Sequence, residues 1–269
     1  MDLTNTPFNY TGSKFKLLSQ IIPLFDTHKL WFVDLFAGGG SVYTNVVHMY
    51  AEVLVNDIIS DLVNIQKNLI FDKENTVTKV KSLVVTKEDQ IGYNLLREDY
   101  NTNPTPEKLY ALMLCCTNNM MRFNKKFKFN QTFGKRTFNS NTEQKINDFV
   151  DCVYPYRNTI TFKTETFYNI EAKPNAMYYL DPPYSQTEAG YNSFWETHDD
   201  IGLFDYCKNL NSIGASFAVS GVETHDGKSC RLIDLLIGEG FKKHLLEADY
   251  NKVSRKGSKI TQEVLITNY

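Results

Sequence analysis

The stretch Trp31-Phe-Val-Asp-Leu-Phe-Ala-Gly-Gly-Gly-Ser41 decides the expected fold of this chain. Its first six residues form a largely apolar run with the length of a buried strand, and the three glycines then permit a tight turn close to a ligand. Ser41 is a residue type that caps helices, so a helix is predicted from there through Tyr50. A second strand is predicted from Glu52 to Asp57, which completes a β–glycine loop–α–β unit typical of nucleotide-binding folds.

The sequence pattern changes after this unit. Apolar residues recur at helical spacing between residues 60 and 116, whereas the stretch 121–138 alternates aromatic and polar residues as a β-hairpin does. Strand-like segments return at residues 159–162, 177–180, 216–220 and 263–267. We therefore predict an α/β fold in which residues 1–57 and 155–269 form one Rossmann-like sheet domain. A mostly helical insertion over residues 58–154, carrying the hairpin, is predicted to interrupt it.

A second informative segment is Asp181-Pro-Pro-Tyr184, which follows the apolar run 176–180. If that run is a strand, the Asp181 carboxylate and the Pro182 carbonyl are acceptors for the two protons of an amino group. Pro182 and Pro183 have a fixed φ and no N–H, so they hold these oxygens rigidly. Tyr184 offers a flat face for a planar base. The segment suits chemistry on the amino group of an unstacked nucleobase, although Asp and Pro are also common in ordinary turns.

Further candidate ligand-binding residues precede this segment. Asp57 follows Gly40 by 17 residues, near the spacing at which an acidic residue reaches ribose hydroxyls in dinucleotide-binding folds. The glycine loop lacks the Lys-Ser/Thr pair of a P-loop and departs from the G-x-G-x-x-G of NAD enzymes. The pattern favours a different adenosine-containing ligand. Lys14 is either a partner for a carboxylate or an ordinary surface lysine.

The composition argues against several other classes of protein. No apolar stretch approaches 18 residues and the first ten residues lack a signal-peptide pattern, so a cytoplasmic protein with no membrane span is expected. The five cysteines include no C-x-x-C pair, which favours reduced core thiols and leaves no predicted metal site.

The charge distribution is more informative than the net charge of −2. Residues 118–142 contain six basic side chains and no acidic one, and residues 250–262 contain four basic side chains and no acidic one. Such local patches on a nearly neutral chain are typical of nucleic-acid contact, although each alone also fits a solvated loop.

Several segments together resemble the Dam-type DNA adenine-N6 methyltransferases of the α group, especially the bacteriophage members. They include Asn9-Tyr-Thr-Gly-Ser-Lys14, Phe32-Val-Asp-Leu-Phe-Ala-Gly-Gly39, Asn56-Asp57, Leu96-Arg-Glu-Asp-Tyr-Asn101, Asn119-Met-Met-Arg-Phe-Asn124, Phe133-Gly-Lys-Arg-Thr137, Asp181-Pro-Pro-Tyr184, Tyr191-Asn-Ser-Phe-Trp195, Ser220-Gly-Val-Glu-Thr-His225 and Glu263-Val-Leu-Ile. The resemblance covers nearly the whole chain, and the motif order is that of the family.

The resemblance implies a Rossmann-like methyltransferase sheet with S-adenosylmethionine as methyl donor. The expected catalytic residues are Asp181, Pro182, Pro183 and Tyr184. Tyr10 and Lys14 are expected at the methionine end of the donor, and Asp57 at its ribose. The full set of expected cofactor-binding residues is Tyr10, Lys14, Asp34, Phe36, Gly38, Gly39, Asp57, Ile58, Glu165, Phe167 and Asp181.

The resemblance also implies double-stranded DNA as partner, with a flipped adenine in GATC or a related short site. Arg122 matches the arginine that reads a guanine, and Met120 and Met121 are expected to wedge beside the site. Relatives usually have proline where Thr132 stands, so the recognition site is left open. The expected DNA-binding residues are Met120, Arg122, Asn124, Lys126, Thr132, Lys135, Arg136 and Asn139.

The sequence is also compatible with three other functions. The segment Asp-Pro-Pro-Tyr also occurs in RNA adenine methyltransferases, and the related Ser-Pro-Pro-Tyr occurs in cytosine-N4 enzymes. A non-catalytic DNA-binding relative is a third reading. The sequence does not distinguish a monomer from more than one copy on DNA, nor an orphan enzyme from the methylating half of a restriction pair.

Overall fold

The computed structural model describes residues 2–10, 12–183, 195–225, 228–247 and 262–269. Tyr184, the expected stacking residue, lies outside the described residues. So do residues 191–194 and the four basic side chains between residues 250 and 262.

The described residues form nine α-helices and nine β-strands, and five of the helices follow one another between β2 and β3. The strands are β1 Trp31–Asp34, β2 Glu52–Asn56, β3 Ile160–Lys163, β4 Ala176–Leu180, β5 Ser216–Val222, β6 Thr224–His225, β7 Lys228–Ser229, β8 Lys242–Leu246 and β9 Glu263–Thr267. The helices are α1 Leu18–Ile21, α2 Ser41–Val46, α3 Ser60–Phe71, α4 Lys73–Leu83, α5 Gln90–Thr102, α6 Pro106–Cys115, α7 Ser140–Val153, α8 Thr197–Ser212 and α9 Arg231–Gly238.

Seven of these strands form one sheet in the order β3-β2-β1-β4-β5-β9-β8. The first five strands in this order are mutually parallel, whereas β9 runs antiparallel to both β5 and β8. Every residue of β4, β5 and β9 is buried, because helices and loops cover both faces of the sheet. The chain order reverses between β1 and β4, which is the point where open α/β sheets bind ligands.

The predicted α/β class is confirmed, and the strands predicted around residues 31, 52, 159, 177, 216 and 263 are all present. Strand β8 was not predicted. Its sequence Lys-Lys-His-Leu-Leu shows no alternation, and three of its five residues are exposed at the edge of the sheet.

Two local expectations differ from the structure. Ser41 does not cap α2; Gly40, in the left-handed region with φ of +78°, takes the cap position, and no side chain caps the helix. The hairpin expected over 121–138 consists of two isolated antiparallel bridges, Cys116–Phe133 and Phe123–Phe129. Positive φ angles at Phe127 and Lys135 interrupt the extended backbone there, so regular strands do not form.

The helices α3 to α7 pack against one face of the sheet through a continuous apolar core. Leu62 and Leu69 of α3, Leu112 of α6 and Phe149 of α7 share this core with Phe32 of β1. The division of the chain into a sheet domain and an insertion remains a prediction, because one core joins the two.

Phe8 connects the N-terminal segment to the insertion helices. Its ring is 3% exposed, and its centroid lies 5.0 Å from that of Tyr110 on α6 and 6.3 Å from that of Phe149 on α7. The Tyr110 hydroxyl donates to the carbonyl of Pro7 at 3.2 Å, which fixes the backbone beside the ring. Residues 7–10 are therefore held by the helices while they approach the glycine loop.

We predict that Phe8→Ala lowers the free energy of unfolding by about 3–5 kcal/mol, because it leaves a cavity among α6 and α7. Denaturant titration of the wild type, Phe8→Ala and the control Leu30→Ala, whose side chain is 55% exposed, measures this. Equal losses in both variants would show that Phe8 is not part of the core.

Candidate active site

Three carboxyl-bearing residues meet at the carboxyl edge of the sheet. Asp34 ends β1, Asp57 follows β2 and Asp181 follows β4, and all three line one open cavity of about 350 Å³. They come together because β1 pairs in parallel with both β2 and β4, with Asp34 opposite Val55 and Tyr179. All eleven residues that the sequence placed at a cofactor site line this cavity.

The glycine loop lines the cavity and lies against the side chain of Tyr10. A Cβ atom on Gly38 would lie 2.7 Å from Tyr10 Cε1, and one on Gly39 would lie 2.8 Å from Tyr10 Cβ. Both contacts are too short for any larger residue. The glycines are therefore required by the close approach of Tyr10 as well as by the turn.

Gln66 holds the glycine loop, and Asn56 holds the segment that follows β3. Neither was predicted from the sequence as a site residue. Buried Gln66 donates to the carbonyl of Gly38 at 2.9 Å and accepts from the Tyr43 hydroxyl at 3.0 Å. Asn56 donates to the carbonyls of Leu35 at 3.1 Å and Glu165 at 3.0 Å, and it accepts the Glu165 N–H at 3.0 Å. The only sequence signal for either role is a polar residue at an otherwise apolar position.

Asp57 is buried and accepts two backbone hydrogen bonds. The N–H groups of Gly38 and Ile59 each donate to one of its oxygens at 2.9 Å. Burial raises the pKa of the Asp57 carboxyl, and the two hydrogen bonds offset part of that effect. These contacts fix the carboxyl group beside the glycine loop, as expected for a residue that binds ribose hydroxyls.

Asp34 is the most perturbed carboxyl group of the cavity. The Tyr43 N–H donates to its Oδ2 at 3.1 Å, while its buried Oδ1 has no hydrogen-bond partner among the described residues. Burial raises the pKa of Asp34 to about 8, and the nearby carboxyl groups of Asp181 and Asp57 add to the increase. A buried acceptor with no partner in a ligand cavity suits a cationic donor group.

Lys14 binds Asp181 across the mouth of the cavity. Its Nζ lies 2.8 Å from Asp181 Oδ1 and 3.0 Å from Oδ2, and it also donates to the Gly12 carbonyl at 3.2 Å. Lys14 is buried, whereas Asp181 is partly exposed. The lysine therefore meets a carboxylate of its own chain, and it fixes the orientation of the Asp181 carboxylate in front of Pro182 and Pro183.

Aromatic rings and one exposed aliphatic side chain form the apolar wall of the cavity. The ring centroids of Phe36 and Phe167 are 5.9 Å apart, and each lies 5.7 Å from that of Trp195. Ile58 also lines the cavity and is 53% exposed. An apolar wall beside Asp57 and Glu165 provides a place for a planar ring.

Two aromatic residues of the insertion also line this cavity. Phe123 and Phe127 reach it from the segment that the sequence predicted as a hairpin. Asn124 shapes the turn between them, because its Oδ1 accepts the N–H groups of Lys126 at 2.8 Å and Lys128 at 3.2 Å. Neither phenylalanine was predicted from the sequence as a site residue.

The expected DNA-binding residues lie in and around this segment. Arg122 donates from Nε to Asn130 Oδ1 at 3.0 Å and from one terminal nitrogen to the Asn130 carbonyl at 3.1 Å, so its guanidinium is held on the protein surface. Lys126 and Lys135 are exposed. Thr132 shares a 2.9 Å hydrogen bond with the hydroxyl of Thr117, a contact that proline would not make.

Met120 and Met121 differ in exposure. Met120 is 37% exposed, whereas Met121 is 4% exposed and belongs to the core. Met121 packs in the apolar core, and the expectation that it acts as a wedge beside the DNA stays a prediction.

Two other expected DNA-binding residues have structural partners. Arg136 donates to Asn119 Oδ1 at 2.6 Å. Asn139 caps α7 by accepting the Thr142 N–H at 3.0 Å. Both side chains remain exposed at the surface of the insertion.

Within the described residues, no group of three or more His, Cys, Asp or Glu side chains is arranged to hold a metal ion. None of the described helices is long and apolar enough to cross a membrane.

Comparison with known proteins gives matches over most or nearly all of the chain. Residues 10–251 match the profile of the D12 class N6 adenine-specific DNA methyltransferases. The modification methylase StsI of Streptococcus sanguinis is 35% identical over 98% of this chain and 43% of that protein. The type II methyltransferase M.FokI of Planomicrobium okeanokoites is 30% identical with the same coverage of both chains. The DNA adenine methylase of Serratia marcescens is 29% identical over 68% of each chain. The chain thus spans less than half the length of the first two relatives.

The position of Asp34 predicts a pH-dependent stability. In the unfolded chain its carboxyl ionises near pH 3.8, whereas in the folded chain its pKa is about 8. The folded chain therefore binds one more proton between these values, so the free energy of unfolding falls as the pH rises from about 4 to 8.

In the wild type we expect the free energy of unfolding to fall by an amount on the order of a few kcal/mol over this pH range. We predict that Asp34→Asn abolishes this fall, because the amide cannot ionise. Thermal unfolding between pH 5 and pH 8 measures the change, with the exposed-acid variant Asp151→Asn as control. Parallel profiles for the wild type and Asp34→Asn would contradict a raised pKa.

Proposed function

Because the chain belongs to the D12 class N6 adenine-specific DNA methyltransferases, we propose that it methylates adenine N6 in double-stranded DNA with S-adenosylmethionine as donor. The observation that carries the proposal is the position of Asp181. Asp181, the first residue of the Asp-Pro-Pro-Tyr segment, lines the same cavity as the glycine loop, and its carboxylate forms an ion pair with Lys14. The resemblance drawn from the sequence motifs is confirmed at the level of the family.

The chemistry of the cavity fits S-adenosylmethionine. Carboxyl groups on six residues line it, against one lysine and one histidine; the six are Asp34, Asp57, Glu165, Asp181, Glu196 and Asp199. The donor carries a sulfonium and an ammonium group, both cationic. Asp34, with its unpartnered Oδ1, would hold a cationic group, and Asp57 the ribose hydroxyls. Ile58 and Phe167 would contact the adenine ring. Tyr10, Phe36, Gly38 and Gly39 would enclose the remainder.

When bound, S-adenosylmethionine supplies an electrophilic methyl group. The protein then has to position a weak nucleophile, because the lone pair of adenine N6 is delocalised into the ring. Asp181 and the Pro182 carbonyl would accept hydrogen bonds from the two N–H groups of N6, which favours localisation of the lone pair as N6 bonds to the methyl carbon and the carbon–sulfur bond of the donor breaks. The methylated nitrogen then loses one proton, which Asp181 or water can accept. The carboxylate also stabilises the positive charge that develops on N6. Most of the remaining contribution is alignment of the reacting groups.

The Lys14–Asp181 contact has a specific role in this scheme. Both Asp181 oxygens lie within hydrogen-bond distance of Lys14 Nζ, and a carboxylate oxygen has two lone pairs, so the contact with Lys14 does not by itself prevent hydrogen bonding to the N6 amino group. The lysine holds the carboxylate in one rotamer before the base enters, so less ordering is needed during the reaction. Lys14 is thus a positioning residue for Asp181.

The insertion would read the DNA. Residues 118–142 carry six basic and no acidic side chains, and Arg122 is held on the surface with donors left for a guanine edge. Phe123 and Phe127 reach the active cavity from the same segment. This arrangement supports residues 58–154 as the target-recognition region and residues 1–57 with 155–269 as the catalytic region. The recognition sequence would be GATC or a related short site.

We place the enzyme in the cytoplasm, where bacterial or phage DNA is found. All five cysteines are free thiols, as in proteins of reducing compartments.

The reaction is tested by incubating the protein with S-adenosylmethionine and unmethylated genomic DNA, followed by mapping of modified bases. The expected product is N6-methyladenine confined to one short motif. We predict that Asp181→Asn lowers single-turnover methylation by about 10²-fold or more, because one acceptor becomes a donor. Calorimetry on the same variant distinguishes a loss of methyl transfer from a loss of donor binding. Methylation of RNA alone, or of cytosine, would contradict the proposal.

A separate prediction concerns Arg122. Arg122→Ala should weaken the binding free energy for the target motif by about 1–3 kcal/mol and reduce discrimination between bases at one position of that motif. Competition binding with duplexes altered at each position measures this. Arg157→Ala, which removes an arginine outside the basic segment, is the matched control. Equal losses on cognate and scrambled duplexes would show that Arg122 does not read a base.

A further inference from the structure

A second cavity, of about 290 Å³, lies in the insertion and differs in charge from the first. Four cationic side chains line it, and no acidic residue does; the four are Lys87, Lys135, Arg136 and Lys145. The first cavity has six residues with carboxyl groups in its wall. The two cavities are therefore suited to ligands of opposite charge.

The cations of the second cavity come from separate parts of the chain. Lys87 lies between α4 and α5, Lys145 lies on α7, and Lys135 and Arg136 belong to the basic segment. Lys87 and Lys145 were not among the residues expected to bind DNA. Since 48 residues or more separate Lys87 from the others, the fold and not a local charge run creates this cluster.

No described carboxylate neutralises these four side chains. The ion pairs of the described residues involve other lysines, and Arg136 binds only the neutral carboxamide of Asn119. Asn119 also donates to the carbonyls of Met113 and Leu114 at 3.0 Å, so it holds Arg136 at the end of α6. Four like charges around one concave site repel each other, and an anion placed among them relieves that repulsion.

Neutral donors and a helix end add to the attraction for an anion. Asn9, Asn141 and Thr137 line the cavity. Asn141 lies in the first turn of α7, a helix of 14 residues whose N-terminal end carries a partial positive charge. Charged and neutral donors together match an oxygen-rich group with one or two negative charges.

We propose that this second cavity binds one phosphate of the DNA backbone. The assignment rests on the proposed function, since it takes the DNA substrate as partner. Asn9 lines the second cavity and the adjacent Tyr10 lines the first, so consecutive residues join the two sites. A duplex that delivers a base to Asp181 would extend its negatively charged backbone across this neighbouring cationic surface. A backbone contact of this kind positions the duplex without reading its sequence.

The test replaces the two new cations together, in Lys87→Gln/Lys145→Gln. Lys67→Gln is the control, because Lys67 is exposed on α3 outside the cavity. On a duplex of random sequence at about 0.1 M salt, we expect the double variant to bind about 5- to 10-fold more weakly than the wild type. The slope of log K against log salt concentration should decrease by about 1. Binding equal to that of the Lys67→Gln control would overturn the proposal.

A second measurement locates the phosphate. Single neutral methylphosphonate linkages are placed in turn along a duplex carrying the methylated motif. At the linkage that the cavity holds, the methylphosphonate and the double substitution each remove the same contact. The two losses of binding free energy should therefore not be additive at that linkage. Additive losses at every linkage would overturn the proposal.

Inorganic phosphate distinguishes a free anion from a backbone phosphate. If millimolar phosphate raises the unfolding temperature of the wild type only, and no linkage shows coupling, the cavity binds a free anion and the DNA assignment is wrong. The random-duplex measurement does not require methylation. A weakened double variant together with an inactive wild type would therefore reject the proposed reaction while supporting the phosphate site.

Discussion

Strands β1 and β4 lie side by side and run in the same direction, and the candidate active site depends on that pairing. It places Asp34 opposite Tyr179, so the glycine loop and the Asp181-Pro-Pro segment leave the sheet at the same edge. Residues 147 positions apart in sequence thereby share one cavity. The Lys14–Asp181 ion pair then joins the N-terminal segment to this edge of the sheet, over a separation of 167 residues. Without the parallel pairing, neither contact would form.

Buried polar side chains hold the loops that leave the carboxyl edge of the sheet. Loops at a sheet edge leave backbone groups without ladder partners, and such groups are costly when they are buried. Gln66 satisfies the carbonyl of Gly38, and Asn56 links the loop after β3 to the end of β1. Because both side chains are fully bonded, the cavity walls are fixed before any ligand enters. Asp34 Oδ1 is different, because this buried oxygen has no hydrogen-bond partner among the described residues.

The sequence predicted the sheet better than it predicted the site. Apolar runs such as 177–180 are visible locally, and the order of motifs placed Asp57 and Asp181 at the carboxyl edge. Strand β8 was missed because an exposed edge strand lacks an apolar pattern, and Ser41 was misjudged because Gly40 in the left-handed region already begins the helix. Contacts such as Lys14 with Asp181, or Phe127 with the active cavity, depend on tertiary packing. No local pattern contains that information.

The position of β9 has a consequence for the order in which the molecule assembles. This strand, residues 263–267, lies between β5 and β8, so β8 has no place in the sheet until β9 has been synthesised. The parallel strands and the residues from Lys14 to Asp181 all emerge from the ribosome earlier. The nascent chain can therefore assemble its reactive edge first, while the far side of β5 stays open as a hydrogen-bonding edge. Until β9 covers it, an open strand edge of this kind can pair with other chains.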